Sequence, residues 1–253
     1  MQPEEARERI AALGFSDRDA DTLFAHFDDA ERRGKRGHGY ARIPWLETLP
    51  DLDPSARAGA EFVAQSHELW DGRGALGYLT LSAIVDAQLE RPPEPSRVVV
   101  ARRCFPTGML GHYARRLAVG GLACLLTATS PPRLSHPDAS PPLAGTNPLT
   151  IGIPSSDGRP VVVDVSPAKA TWGEVIAGAA SERDVVPFGG DQSHKSFAIA
   201  VGLQLLVDAL TPVRGSEPQS PNYGALLVVA RPEADPVPAL RALAGGVRLP
   251  GDR

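Results

Sequence analysis

The sequence predicts an α/β fold in which a helical N-terminal part precedes a layer of strands and helices. Apolar residues recur at helical spacing over residues 4–33. A strand, a helix and a second strand then follow one another over residues 97–127, as in an α/β layer. Two Val- and Ile-rich runs flank a polar, glycine-containing turn at residues 155–159, which predicts a β-hairpin.

The helical part begins with a helix over residues 4–13, for which Gly14 is a natural stop. Ser16 followed by Asp19 three residues later resembles a capping box and predicts the start of a second helix. That helix carries an apolar stripe and ends at basic residues 32–33, where the helix dipole favours cations.

The rest of the chain predicts further elements, which are a helix at 76–89, strands at 97–101 and 122–127, a helix at 109–119, the hairpin at 151–165, an apolar helix at 197–210, a strand at 225–230 and, after Pro232, one weak helix with a frayed end. We expect three parts. Residues 1–75 form a helical segment that packs on the core, residues 76–232 an α/β domain, and residues 233–253 a tail.

Charge and cysteine content exclude several classes of protein. The formal net charge is −4 and the sequence pI about 5.9, with no basic stripe, so nucleic acid and anionic membranes are disfavoured partners. Cys104 and Cys124 lie outside any CxxC pair, which favours a reducing compartment. The N-terminus lacks a signal-peptide pattern, and no apolar run has the length of a membrane span. We expect a cytoplasmic protein without a metal site, since zinc-like spacings are absent.

Residues 72–77, Gly-Arg-Gly-Ala-Leu-Gly, match the GxGxxG fingerprint of dinucleotide-binding folds. That fingerprint follows a fully apolar strand, whereas residues 66–71 are largely polar. The favoured interpretation is therefore a glycine turn that joins a strand to a helix N-terminus.

Residues 37–42, Gly-His-Gly-Tyr-Ala-Arg, place a histidine between two glycines and an arginine four residues after it. His38 can move a proton near neutral pH, and Arg42 can hold a carboxylate through two parallel hydrogen bonds. Taken alone, the segment is more typical of a basic surface loop.

Two glycine turns, at residues 145–148 and 187–190, carry further polar groups. His194 and Lys195 follow the second turn and directly precede the predicted helix at 197–210. Backbone amides and a cation at a helix N-terminus suit a phosphate or a carboxylate. By itself, each turn is more typical of a purely structural turn than of a binding site.

In this order, the segments resemble those of the NAD(P)-dependent malate/L-lactate dehydrogenase-like oxidoreductases. The matching segments are residues 37–42, 71–77, 145–148 (Gly-Thr-Asn-Pro), 164–173 (Asp-x-Ser with a later Gly), 187–199 and 221–224. The resemblance implies a non-Rossmann, mixed-sheet α/β fold that is usually a homodimer. It also implies that residues 76–232 hold NAD or NADP and a small carboxylate substrate.

The resemblance also implies roles for individual residues. His38 and Arg42 would lie beside the substrate, and His112 is a further catalytic candidate. The expected cofactor-binding residues are Gly108, Thr146, Asn147, Pro148, Asp164, Ser166, Gly189, Gly190, His194 and Lys195.

Several positions depart from the family pattern. Pro106 stands where the family carries a proton-donating histidine, and proline cannot transfer a proton. His112, six residues later, lies inside a predicted helix and is not expected at the same point. Gly37 stands where the family has a serine. Glu174 stands where the family has a lysine, and the negative charge of Glu174 would repel a phosphate.

Three functions remain open. The first is a divergent NAD(P)H-dependent reductase of a small 2-oxo or cyclic 2-imino acid; an imine arrives protonated, so it tolerates the loss of a general acid better than a ketone does. The second is a non-redox enzyme, such as a lyase, isomerase or cyclase, that acts on an amino-acid-like carboxylate. The third is a non-catalytic homologue.

Overall fold

The computed structural model describes residues 1–138, 141–211 and 223–252, which form one mixed sheet covered by helices. The strands are β1 (Gly59–Val63), β2 (His67–Asp71), β3 (Ser96–Arg102), β4 (Ala123–Ala128), β5 (Leu149–Ile153), β6 (Val161–Val165) and β7 (Ala225–Ala230). The described α-helices are α1 (Pro3–Ala12), α2 (Asp17–Arg32), α3 (Arg42–Leu46), α4 (Gly77–Glu90), α5 (Leu110–Val119), α6 (Trp172–Ile176), α7 (Ser193–Leu210) and α8 (Val237–Ala244).

The seven strands lie in the order β1-β2-β3-β7-β4-β5-β6. β2 pairs with β3 in parallel, and every other neighbouring pair is antiparallel. Since β7 runs antiparallel to both β3 and β4, these two strands run in the same direction, and so does β6. The C-terminal ends of β3, β4 and β6 therefore meet at one edge of the sheet. This mixed sheet confirms the predicted fold class.

Each face of the sheet is covered by different helices. On one face, Tyr113 and Leu117 of α5 and Ile84 of α4 are buried in the main core with sheet residues. On the other face, Val207 of α7 packs with Val100 of β3 and neighbouring strand residues. Burial of these apolar side chains stabilises the layered arrangement.

The N-terminal helices form a second core against α4. Ile10 of α1, Phe27 of α2 and Ile43 of α3 are fully buried beside Tyr78 of α4. The Ser16 hydroxyl accepts the Asp19 amide at 3.3 Å and caps α2 as predicted. The predicted helices and strands from residue 76 onward and the hairpin are also present.

The prediction of a helical segment was wrong for residues 59–71, which contain β1, at the edge of the sheet, and β2 beside it. β2 buries two charged residues, Glu68 and Asp71, so its pattern did not predict a core strand. Arg97 lies 3.5 Å from Glu68, and Arg102 lies 2.9 Å from Asp71; both belong to β3. These partners come from distant sequence and compensate the burial of the charges. The division of the chain at residues 75 and 232 stays a prediction.

The glycine segment at residues 72–77 joins β2 to α4, as the favoured interpretation predicted. A Cβ on Gly72 would lie only 2.1 Å from the Arg103 carbonyl oxygen, so a side chain has no room there. The glycine is therefore explained by close backbone packing between the two loops.

Two predictions near the C-terminus need correction. The described part of the tail, up to residue 252, is not frayed, because the Pro250 carbonyl accepts the Val162 amide at 3.0 Å and Arg241 pairs with Asp252. α7 begins at Ser193, so His194 and Lys195 lie in its first turn rather than before it.

Pro221 and Asn222 of the last matching segment lie outside the described residues. No helix among the described residues has the length and apolar character to cross a membrane.

Candidate active site

A cavity of about 390 Å³ lies at the sheet edge where β3, β4 and β6 end. Its walls come from the loops after β3 and β4, the segment before β5, the end of β6 and the first turn of α6. The segment at residues 34–38 and helix α3 complete it. The topology thus brings segments from distant parts of the sequence to one site.

Arg42 lines this cavity with a cation that is nearly buried, at 6 % exposed. Its guanidinium carbon lies 4.1 Å from the ring centre of Trp45, and its Nε donates to the Tyr78 hydroxyl at 3.3 Å. No acidic side chain among the described residues pairs with it. A buried arginine that retains free donors is suited to bind a planar carboxylate.

His38 also lines the cavity, in a short 3-10 turn just before α3. Burial lowers the pKa of His38 to about 4; the Arg42 and Lys35 cations act in the same direction, and Glu174 opposes them. At neutral pH the imidazole is therefore uncharged, with one donor and one acceptor nitrogen. His38 can orient a ligand by hydrogen bonding, but it is not an imidazolium acid at that pH.

The loop that carries His38 is pressed directly against the first turn of α6. A Cβ on Gly37 would lie 2.6 Å from the Glu174 nitrogen, and one on Gly173 would lie 2.3 Å from the Gly37 carbonyl oxygen. Thr171 and Glu174 form a reciprocal capping box that fixes this turn. The replacement of serine by Gly37 thus has a steric reason in this chain.

Asp164, near the end of β6, lines the cavity and accepts the Gly111 amide at 3.0 Å. Burial raises the pKa of Asp164 above its usual value, while the Gly111 hydrogen bond and the Lys35 and Arg115 charges oppose the rise. A carboxyl group in these surroundings keeps its proton to higher pH than an exposed one.

Most of the predicted cofactor-binding residues around this edge line the same cavity. They include Thr146 and Pro148 before β5, Ser166 after β6, and Gly108 in the loop after β3. The Ser166 hydroxyl donates to the Thr146 carbonyl at 2.9 Å and so ties the two segments together.

Asn147 does not line the cavity, although its neighbours do. It is fully buried, and its amide nitrogen donates to the Ala200 carbonyl at 2.9 Å and to Gln204 at 3.0 Å. Its Oδ1 accepts the Ser130 amide at 3.2 Å. Asn147 therefore supports the turn by anchoring it to α7.

The late glycine motif lies beside the main cavity rather than in it. Gly189 and Gly190 line a second, more open cavity of about 470 Å³. His194 and Lys195 are exposed and line neither cavity. Among the described residues, Arg133, which follows β4, is the one that lines both cavities.

His112 does not line the cavity either. Its Nδ1 lies 3.1 Å from Asp29, and its ring packs against His26. Nε2 of the fully buried His26 in turn accepts the Met109 amide at 3.1 Å, which anchors the loop after β3. The structure therefore places His112 behind the cavity wall.

Pro106, where the family carries a histidine, lines the cavity itself.

Sequence reasoning missed several residues of the cavity wall, of which three carry large side chains at the site, Trp45, Arg133 and Trp172. The Arg133 guanidinium carbon lies 3.4 Å from the ring centre of Trp172. None of the three belongs to a spaced motif, so only the fold brings them to the site. Among the described residues, no cluster of three or more potential metal ligands occurs.

The strand ends of this mixed sheet surround an arginine, a neutral histidine and a partly buried carboxyl group, which is an arrangement suited to bind a small carboxylate. A family model described as malate/L-lactate dehydrogenase matches residues 4–189. The chain belongs to this family of oxidoreductases.

Individual relatives agree with this assignment. An L-lactate dehydrogenase of Cupriavidus necator is 26 % identical, over 87 % of this chain and 72 % of the relative. A Delta(1)-pyrroline-2-carboxylate/Delta(1)-piperideine-2-carboxylate reductase of Pseudomonas syringae pv. tomato is 27 % identical, over 95 % of this chain and 83 % of the relative. The crystal structure of a delta1-piperideine-2-carboxylate reductase from Pseudomonas syringae superposes with a TM-score of 0.82 at 25 % identity, covering 99 % of this chain and 89 % of the other.

We predict that His38 titrates near pH 4 in the folded protein, against an ordinary value of 6.5. Between these values the unfolded chain binds more protons, so the free energy of unfolding should fall as the pH falls from about 6.5 to 4. Histidine NMR spectra and urea unfolding across this range test both statements. A His38→Gln variant should lose part of this pH dependence; an unchanged dependence would contradict the assignment.

Proposed function

We propose that this protein is an NAD(P)H-dependent reductase of a small 2-oxo or cyclic 2-imino acid. The observation that carries the proposal is Arg42, a nearly buried cation without an acidic partner among the described residues. It lines a cavity together with a neutral His38 and Asp164. A substrate carboxylate on Arg42 would place the adjacent C2 atom in this cavity.

The cavity has features that suit a nicotinamide nucleotide. Lys35 and Arg36 lie on its rim with charges opposite to those of a pyrophosphate, and no ion pair engages them among the described residues. Thr146 and Ser166 add polar groups on the sheet edge. Glu174, unlike Lys35 and Arg36, is negatively charged and would repel the phosphates, so we expect the phosphates to lie away from it. The choice between NAD and NADP stays open.

The reduction adds one hydride to C2 and one proton to the carbonyl oxygen or imine nitrogen. The chemistry that a reduced nicotinamide nucleotide would supply here, when bound, is hydride donation, by which it would be oxidised to NAD(P)⁺. Arg42 holds the substrate carboxylate, and His38 orients the substrate by a hydrogen bond. We assign the role of proton donor to Asp164, because burial raises the pKa of its carboxyl group above the usual value.

The loss of the family histidine at Pro106 favours an imine substrate over a ketone. A cyclic imine is protonated near neutral pH, so its nitrogen already carries the proton that a ketone must receive during the reaction. We therefore propose higher activity on cyclic 2-imino acids than on the corresponding 2-oxo acids. A non-redox enzyme or a non-catalytic homologue would instead fail to bind the reduced nucleotide.

The first test titrates NADH and NADPH fluorescence with the purified protein and follows nucleotide oxidation with 2-oxo and cyclic 2-imino acids. Arg42→Lys should weaken carboxylate binding by about 1–3 kcal/mol, since lysine lacks the bidentate fork. Arg32→Lys, an exposed position on α2, serves as the matched control. Equal substrate affinity of Arg42→Lys and wild type would refute the carboxylate role, and absent nucleotide binding would refute the reductase.

A second prediction concerns the proton donor. Asp164→Asn should lower kcat for a 2-oxo acid by about 10²- to 10⁴-fold, because the amide cannot donate a transferable proton. The loss should be smaller for a cyclic imine, which arrives protonated. The same assay with Asp51→Asn, an exposed position, provides the control. A similar loss for both substrates would show that Asp164 acts on the fold or on nucleotide binding instead.

We also propose a homodimer formed through α7. Ile199, Leu205, Leu206 and Leu210 lie on one side of this helix and are between 39 % and 63 % exposed. A second copy that covers them would remove an apolar patch from water. Light scattering should give a dimer at micromolar concentration, and Leu205→Glu should shift it toward monomer. Leu243→Glu, on α8, should leave the dimer intact; a monomeric wild type would refute the proposal.

A further inference from the structure

A buried histidine, His26 of α2, lies behind the cavity wall and has no part in the proposed reaction. It is 1 % exposed and packs against the rings of Tyr78, Tyr113 and His112, whose centres lie between 4.8 and 5.3 Å from its own. A hydrocarbon ring would fill this space without the cost of burying two polar nitrogens. The presence of an imidazole therefore calls for an explanation in its hydrogen bonding.

One of the two ring nitrogens of His26 is paired among the described residues. Nε2 accepts the Met109 amide at 3.1 Å, whereas Nδ1 has no hydrogen-bond partner. Because Nε2 accepts, we place the ring proton on Nδ1, and the imidazole is uncharged. Burial lowers the pKa of His26 well below its usual value, and the charges of His112, His38 and Arg42 act in the same direction. The polar function of this side chain is thus to accept one backbone N–H.

That N–H belongs to the start of α5, the helix that also contacts Asp164. Met109 is the N-cap residue of α5 and provides no side-chain cap. Two residues later, the Gly111 amide donates to the Asp164 carboxylate at 3.0 Å. The first N–H groups of a helix have no partner within the helix. Two of those of α5 are paired with side chains from α2 and β6, so one turn of helix connects His26 with Asp164.

Glycines make both contacts of this turn close. A Cβ on Gly111 would lie 2.9 Å from a carboxylate oxygen of Asp164, and one on Gly108 would overlap the rings of His26 and Tyr78. The φ of Gly108 is +69°, a conformation that favours glycine. Since no flexible side chain lies between the turn and the groups it touches, a shift of the turn at His26 is transmitted to the Asp164 carboxyl group.

We propose that His26 is a positioning residue for Asp164, and that it acts by holding the first turn of α5 through the Met109 amide. This inference rests on the proposed function, in which Asp164 is the proton donor, and adds the residue that fixes the place of the donor. Without the acceptor, the Met109 amide would be buried and unpaired, so the turn would move toward another partner. The Gly111–Asp164 hydrogen bond would then weaken.

The first measurement needs neither nucleotide nor substrate. Carbon NMR of the full-length protein follows the titration of the Asp164 carboxyl group, whose signal is identified by its absence in Asp164→Asn. Burial raises the pKa of Asp164, and the Gly111 amide and the Lys35 and Arg115 charges oppose the rise. His26→Phe keeps an aromatic ring and removes the acceptor. It should raise the pKa of Asp164 by about 0.5–1 pH unit, because the weaker Gly111 hydrogen bond stabilises the carboxylate less.

Two further variants at the same position separate the hydrogen bond from the packing. His26→Gln should stay close to wild type, because its Oε1 can accept where Nε2 does. The shorter His26→Asn should behave like His26→Phe, and the comparison of these two amides decides if His26→Phe fails to fold. Leu23→Val is the matched control, since Leu23 is fully buried on the same helix and takes no part in a side-chain hydrogen bond. It should lower the melting temperature and leave the titration of Asp164 unchanged.

The second measurement is the oxidation of NADH and NADPH with pyruvate. His26→Phe should lower kcat by about tenfold to hundredfold with little change in KM, since a displaced donor reacts poorly while the Arg42 contact is kept. A general acid acts only while it is protonated, so the pH above which kcat falls should rise together with the pKa of Asp164. A purely structural role of His26 would not move this pH.

The outcomes separate this inference from the proposed function. An unchanged titration of Asp164 in folded His26→Phe, an equal change in Leu23→Val, or equal behaviour of His26→Gln and His26→Asn overturns the inference. The expected titrations without oxidation of NAD(P)H by any 2-oxo or 2-imino acid support the positioning of Asp164 by His26 and refute only the reductase.

Discussion

The candidate site depends on the insertion of the last strand into the middle of the sheet. β7 hydrogen-bonds to β3 on one side and to β4 on the other, and it joins the strands from residues 59–102 to those from residues 123–165. Because β7 is antiparallel to both neighbours, the C-terminal ends of β3 and β4 emerge at the same edge. Without this pairing, the loop containing Pro106 and the loop containing Arg133 would share no site.

Close backbone contact completes the site where side chains would interfere. The segment with His38 touches α6 through Gly37 and Gly173, each of which lacks room for a Cβ. The glycine at position 37, where the family has a serine, is therefore explained by the close packing around it, which leaves no room for a side chain. Glu174 has a comparable explanation, because its carboxylate accepts the Thr171 amide and hydroxyl and closes the cap of α6. These two departures are parts of one local arrangement.

Electrostatics in the cavity follow from burial more than from the number of charges. Desolvation lowers the pKa of His38 to about 4 and raises the pKa of Asp164 above its usual value, so burial disfavours the charged form of both groups. Arg42 and Arg133 remain charged, and tryptophan rings stabilise both. A site with fixed cations and a carboxyl group whose pKa is raised is suited to anionic substrates that must gain a proton.

The sequence by itself determined the local elements and the family. Periodicity, the Ser16 cap and turn residues sufficed for the helices of the N-terminal part and for the hairpin, because these depend on neighbouring residues. The segments around His38, Thr146 and Asp164 carried the resemblance. Only the tertiary structure decided that residues 59–71 contain strands, because the partners of their buried charges lie on β3. It also decided that His112 lies behind the cavity wall and that Arg133 lines the cavity. Pairing across the sheet set those positions, and such long-range contacts leave no periodic pattern in the sequence.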